Sequence, residues 1–126
     1  MKDVLRTNKC LKLYKVKRKK LGEDIVNFDL LSNPFIKEWN YWMLVRNDFP
    51  YDKIAKEHDL LVPKRKFANE DEMEDLELNE LYDIKAELKD TYSAYLINTG
   101  CGRTVPTHFH IHCIKFHYIT PLKEFS

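Results

Sequence analysis

The stretch His108-Phe109-His110-Ile111-His112-Cys113-Ile114 decides how the rest of the chain is read. Three histidines alternate with apolar residues at a period of two, the side-chain repeat of a β-strand. On a strand, His108, His110 and His112 project from one face, while Phe109, Ile111 and Cys113 anchor the other against a second layer. The whole chain has five histidines, and three fall within these five positions.

A row of imidazoles admits three readings. A strand with no chemistry is the plainest, but imidazole is costly to leave unpaired inside and no better than Thr or Val as a strand former outside. A metal site is the second, since neutral imidazole is the commonest metal ligand. The outer pair, however, starts about 13 Å apart at Cα, four residues at roughly 3.3 Å each. Closing all three around one zinc strains a straight strand, and an H-x-H site completed from elsewhere leaves the third histidine surplus. Nucleophilic catalysis is the third reading: a neutral central imidazole attacks while its neighbours orient it and donate hydrogen bonds. Two like charges about 7 Å apart repel by about 2 kcal/mol at an effective dielectric of 20. Protonating one ring therefore disfavours protonating the next, and a neutral nucleophile can sit beside a donor near neutral pH. The row favours this third reading.

Outward from the triad, the composition bounds the answer. A chain of 126 residues, 44% apolar and 13% aromatic, fits one globular domain with a modest core, expected to span 1–126. No apolar run approaches the roughly 20 residues that cross a bilayer, so no membrane partner is expected. The start lacks the pattern of a signal peptide, and the three cysteines, Cys10, Cys101 and Cys113, are odd in number with no C-x-x-C pair. A reducing, cytoplasmic setting is expected. The net charge of +1 hides an asymmetry: residues 1–20 carry nine basic side chains against Asp3, and residues 70–83 carry eight acidic ones and no basic one. The Lys15–Lys20 cluster is read as a solvated strand end in preference to a contact for nucleic acid or a polyphosphate tail.

Along the chain, Cys10–Lys17 alternates apolar and basic residues as an edge strand does, ending at Gly22 within an N-terminal extension over 1–35. Residues 36–49 read as a strand region whose apolar run, Tyr41–Val45, predicts cover on both faces. It turns at Asn47-Asp48-Phe49-Pro50-Tyr51-Asp52, and His58–Arg65 is the next strand. Residues 69–90 read as the main helix, with Asn69 and Glu72 as a capping box and Met73, Leu76, Leu81, Ile84 and Leu88 as its apolar stripe. Ser93–Ile97 is a short strand, and two of the chain's three glycines, Gly100 and Gly102, lie in the loop between it and the triad. Glycines there permit close approach of backbone N–H groups to phosphate oxygens. His117 reads as a surface residue.

The triad stretch resembles the signature of the histidine triad (HIT) superfamily of nucleotidyl hydrolases and transferases, H-φ-H-φ-H-φ-φ with φ apolar, and fills all seven positions. Asn47, Phe49-Pro50-Tyr51, His58 and Val62-Pro63-Lys64-Arg65 match, in order, an N-x-F-P-Y turn and a strand running from histidine to V-P-K-R. Asn98, Gly100 and Thr104-Val105-Pro106 match the glycine loop that enters the triad. The resemblance covers about residues 36–117. It departs in the long turn between Pro50 and His58, in Glu57 and Lys66, and in Thr107 as an added residue before the triad. It implies an α+β, HIT-like fold: an antiparallel sheet of about five strands with one main helix. It also implies a homodimer and an enzyme cleaving at the α-phosphate of a nucleotide conjugate, a dinucleoside polyphosphate or a nucleoside phosphoramidate. In that reading His110 is the nucleophile of a nucleotidyl-histidine intermediate, with His112 and His108 assisting and His58 as a supporting fourth histidine. Asn47, Asn98, Gly100, Gly102, Arg103 and Thr104 are the nucleotide and phosphate contacts, and no cofactor or metal is called for. The alternatives are a zinc-binding H-x-H-x-H strand and a nucleotide-binding module without catalysis.

Overall fold

Strands whose alternate residues are all apolar need a layer on each side. In the computed structural model, which describes residues 5–22, 29–99 and 105–117, the central strands have both. Helix α1 (Asn8–Leu21) precedes strands β1 (Phe35–Glu38), β2 (Trp42–Arg46) and β3 (Ala55–Pro63); helix α2 (Asp75–Leu88) and strands β4 (Ala94–Leu96) and β5 (Ile111–Phe116) follow. The strands form an antiparallel sheet in the order β1-β2-β3-β5-β4. Register across the centre pairs Leu61 with Ile111, Leu60 with His112 and Asp59 with Cys113. Paired residues share a face, so odd positions of β3 and β5 point one way and even positions the other.

The odd face is the main core. Trp42 and Leu44 of β2, Leu61 of β3, and Phe109, Ile111 and Cys113 meet Leu81, Ile84 and Leu88 of α2. On the opposite face Val45, Leu60 and Val62 pack with Leu30 and Val105, and Ile114 packs with Tyr51 and Ala55. The expected α+β class, with a five-stranded antiparallel sheet, is therefore what the chain forms. Its membership differs from the sequence reading in two places. Residues 36–49 are not one strand but the hairpin β1–β2, and Cys10–Lys17 is not an edge strand but part of α1.

Helix α1 forms because its ends and its inward face are specified together. Thr7 caps it, accepting from the Cys10 N–H, and Gly22 closes it at a positive φ (57°) that a β-carbon would strain, its N–H donating to the Arg18 carbonyl. Cys10, Tyr14, Lys17 and Leu21 face inward at spacings of three and four. Leu13 and Val16, which suggested alternation, point to solvent. The helix is held against the β2–β3 turn: the Thr7 N–H and hydroxyl donate to the Asp52 carboxylate at 2.7 and 2.6 Å. The Cys10 thiol donates to the Pro50 carbonyl at 3.3 Å, and Tyr14 meets Phe49 edge-on.

The main helix also starts later than expected. Asn69 opens a single 3-10 turn over Glu70–Glu72, with the Glu72 carboxylate accepting from the Asn69 N–H at 2.7 Å. A second capping pair, Glu74 and Glu77, then starts α2. Leu76, assigned to the apolar stripe, is exposed, and Glu77 turns inward instead. Two groups take it there: the Arg65 guanidinium donates to both Glu77 oxygens at 2.7 and 3.2 Å, and the Trp42 indole N–H donates to the Glu77 carbonyl at 2.8 Å. Burial alone would raise the Glu77 pKa, but the Arg65 fork outweighs it and the net shift is downward. Among the described residues, no helix is long and apolar enough to cross a membrane.

Candidate functional site

Even-numbered residues of β3 and β5 place His58, His112 and His110 on the face opposite α2. His58 is not level with His112 but one diagonal step away, because its own register partner is Ile114. That diagonal is within reach of ring side chains, and His58 Nε2 lies 2.7 Å from His112 Nδ1. The regular strand begins only at Ile111. Its lead-in is fixed by other bonds: the Phe109 N–H donates to the Phe67 carbonyl at 2.6 Å, and His108 Nε2 donates to the Pro63 carbonyl at 2.8 Å.

The hydrogen bonds fix which nitrogen of each neutral ring carries the proton. A carbonyl can only accept. His110 Nδ1, 2.9 Å from the His108 carbonyl, is therefore the N–H, and the lone pair of the neutral ring sits on Nε2. His58 Nδ1 accepts from the Tyr51 N–H at 2.9 Å, so its proton is on Nε2 and is donated to His112 Nδ1. The His112 proton is consequently on Nε2. The Asn98 amide nitrogen lies 3.2 Å from that atom and 3.2 Å from the Tyr51 hydroxyl. Two facing N–H groups repel, so with this tautomer Asn98 serves His112 through its oxygen, the amide turned end for end. A backbone N–H is thus relayed through two imidazoles to a donor aimed beside His110, whose ring lies 5.1 Å from that of His112.

Burial keeps the relay neutral. Desolvation lowers the pKa of His112 well below the ordinary histidine value, and the proximity of His110, His58 and Arg6 adds to it. His58 is lowered by burial first and then by Arg6 and His110. His108 is lowered by burial, although its bond to the Pro63 carbonyl pulls the other way. Tyr51 stacks on the His112 ring at 5.3 Å and packs against His58 at 4.5 Å.

His110 and His112 open onto a cleft of about 700 Å³, counting the volume continuous with solvent. Leu30, Phe49, Leu60 and Val105 give it an apolar side, and Asn47, Asn98 and Tyr51 give polar edges. The structure therefore brings His110, His112, His58, Asn47 and Asn98 together. Asn47 Oδ1 accepts from the Phe49 N–H at 2.9 Å, shaping the turn, while its Nδ2 lies 3.3 Å from His58 Nε2. His108 is not part of the lining; its ring ties β5 to β3, and its carbonyl orients His110. Gly100, Gly102, Arg103 and Thr104 lie outside the described residues. His117 is exposed. For the metal alternative, the triad rings turn to three different partners. Among the described residues, no group of three or more His, Cys, Asp or Glu side chains is arranged to hold an ion.

The sequence reading missed the contribution of α1. Arg6, Tyr14, Lys17 and Arg18 line the same cleft, so the basic cluster lies on a helix and not at a strand end, with Lys15, Lys19 and Lys20 exposed and Lys17 and Arg18 at the cleft. The Arg6 guanidinium lies 4.3 Å above the Tyr14 ring and 4.8 Å from that of Tyr51, and its Nε donates to the Phe49 carbonyl at 3.0 Å. The three-and-four spacing of Cys10, Tyr14, Lys17 and Leu21 was the available signal; nothing in the sequence singled out Arg6.

The solved structures include similar folds. A HIT family hydrolase from Clostridium thermocellum is similar to this chain with a TM-score of 0.54 and 21% identity, over 91% of this chain and 96% of that one. A histidine triad protein from Clostridium difficile shows a TM-score of 0.48 and 18% identity, over 78% and 90%. No family model and no curated protein matches the sequence. The chain has the HIT fold.

Proposed function

We propose that this protein is a nucleotidyl hydrolase or transferase that cleaves nucleotide conjugates at the α-phosphate through a nucleotidyl-histidine intermediate. The observation that carries the reading is the bond from His110 Nδ1–H to the His108 carbonyl, which places the lone pair of the neutral ring on Nε2, beside a cleft that His110 and His112 line. In the first step that lone pair forms a bond to phosphorus while the bond to the leaving group breaks, its electron pair departing with the leaving group. In the second, water attacks the same phosphorus and the P–N bond breaks, returning the electron pair to His110. Phosphoryl transfer is governed mostly by positioning and electrostatics. The His112 Nε2–H, on a ring held neutral by burial and oriented by His58, turns from the Asn98 oxygen to the phosphate or leaving group as charge develops.

Asn98 orients His112 and borders the phosphate; Asn47 meets the ribose; and Gly100, Gly102, Arg103 and Thr104 supply the remaining phosphate contacts. The working form is a homodimer in a cytoplasmic setting. The test is turnover of adenosine 5′-phosphoramidate and diadenosine tetraphosphate by wild type and by His110→Ala. Loss of at least about 10³-fold with an unchanged circular dichroism spectrum is expected. Near wild-type turnover by the variant would overturn the assignment. Saturable nucleotide binding with no turnover by wild type would leave a binding module in its place.

A further inference from the structure

The resemblance in sequence begins only at residue 36, yet one wall of the cleft comes from α1 and the residue pair before it. Arg6, Lys17 and Arg18 border the cleft together with His110 and His112, and Asp48 is the carboxylate among the described lining residues. Among the described lining residues the cations are gathered on this one wall. Cationic side chains gathered on one wall of a cleft draw anionic groups toward that wall. The wall is held in place: Thr7 and Cys10 bind the β2–β3 turn, and Arg6 is clamped between the Tyr14 and Tyr51 rings. Guanidinium and ammonium groups preorganised in this way match phosphate oxygens, the guanidinium by paired donors. One phosphate at His110 does not need three cations spread along a helix face. A chain of phosphates leaving the α-phosphate toward α1 does.

We infer that Arg6, Lys17 and Arg18 are specificity-determining residues that select substrates whose leaving group is itself a chain of phosphates over substrates with an uncharged leaving group. The inference rests on the proposed function for the place of the α-phosphate. Two measurements test it without depending on the same outcome. The first is calorimetric binding of AMP and of adenosine 5′-tetraphosphate to wild type and to the double variant Lys17→Gln/Arg18→Gln. Gln is a good helix former, so α1 keeps its propensity, and a retained helical spectrum is checked first. Wild type is expected to bind the tetraphosphate at least tenfold more tightly than AMP, and added salt should narrow the gap. In the double variant the gap should shrink to less than about threefold. Equal affinity for the two ligands in wild type, or an unchanged gap in the variant, overturns the inference even if the enzyme is active.

The second measurement is the ratio of kcat/KM for diadenosine tetraphosphate and adenosine 5′-phosphoramidate. The variant should lower that ratio about tenfold, chiefly through KM for the polyphosphate; a merely structural role would lower both substrates alike, and that result counts against the inference. A wild type that shows the binding gap but turns over neither substrate removes the proposed function and leaves the phosphate wall standing.

Discussion

The two faces of the sheet are made from alternate residues of the same strands, and they treat polar groups in opposite ways. On the α2 face Glu77, the Trp42 indole and Asp59 each meet a fixed partner inside the chain. Arg65 forks onto Glu77, the Trp42 indole binds the Glu77 carbonyl, and the Tyr92 hydroxyl donates to Asp59 at 2.5 Å. Burial raises the Asp59 pKa in that setting, and the tyrosine bond offsets only part of it. On the other face the partners run in a line, Tyr51 N–H to His58 to His112 and on to Asn98, along the wall of a cleft. The first set of bonds closes within the core; the second runs through side chains that line the cleft. The difference lies in parity, since His110 and Ile111 are neighbours in sequence but serve different faces.

That adjacency gives the largest expected contrast. His110→Ala should remove at least about 10³-fold of turnover while leaving the urea midpoint nearly unchanged. Ile111→Ala, one residue on, should cost about 2–5 kcal/mol of stability while the folded fraction keeps its kcat. Equal loss of stability in both variants, measured by urea unfolding, would mean that His110 belongs to the core and would break the comparison.

A smaller effect is expected along the relay. His58→Phe keeps a ring but removes the donor that sets the His112 tautomer, and kcat should fall on the order of 10²-fold with KM little changed. A pH–rate profile of the same shape but lower amplitude would place the loss in positioning. A loss confined to KM would make His58 a binding residue instead.

The Arg65 clamp should respond to pH in the manner of a carboxylate lowered by a cation. Its stabilisation is present above the ordinary glutamate pKa and is lost as pH falls through the lower folded value. Arg65→Ala should therefore depress Tm more at pH 7 than at pH 4, and a penalty independent of pH would assign Arg65 to packing on Phe67 alone.

The smallest effect belongs to the buried imidazoles. His58 and His112 resist protonation in the folded state, so below about pH 6.5 the unfolded chain takes up protons first. Stability is intact above that value and declines as pH falls toward the folded pKa values. Replacing His112 with Phe should flatten this decline in urea midpoints between pH 7 and 5. An unchanged slope would mean that the ring is already charged when folded.

Much of this was legible in the chain. Period-two alternation placed Phe109, Ile111 and Cys113 in the core and His110 and His112 opposite them, because parity alone decides which face a strand residue serves. The order of motifs brought Asn47 and Asn98 to the same cleft and His58 to the His112 ring behind it. Two things were not legible. Cys10–Lys17 satisfies both period two and period 3.6, and the choice is made by Thr7 and Asp52, which lie 45 residues apart in sequence. Leu76 and Glu77 compete for one inward position, and a leucine wins such a contest unless a distant arginine and indole are waiting for the glutamate. Both misreadings are cases in which a long-range polar contact overrides a local apolar pattern.

The central claim is that His110 forms a bond to phosphorus. Wild-type protein mixed rapidly with diadenosine tetraphosphate, quenched within one turnover and weighed intact should carry the mass of one adenylyl group. Peptide mapping should place it on His110, and His110→Ala should show none. Full turnover with no adduct at any quench time, or an adduct on His112 or His58, would contradict the account.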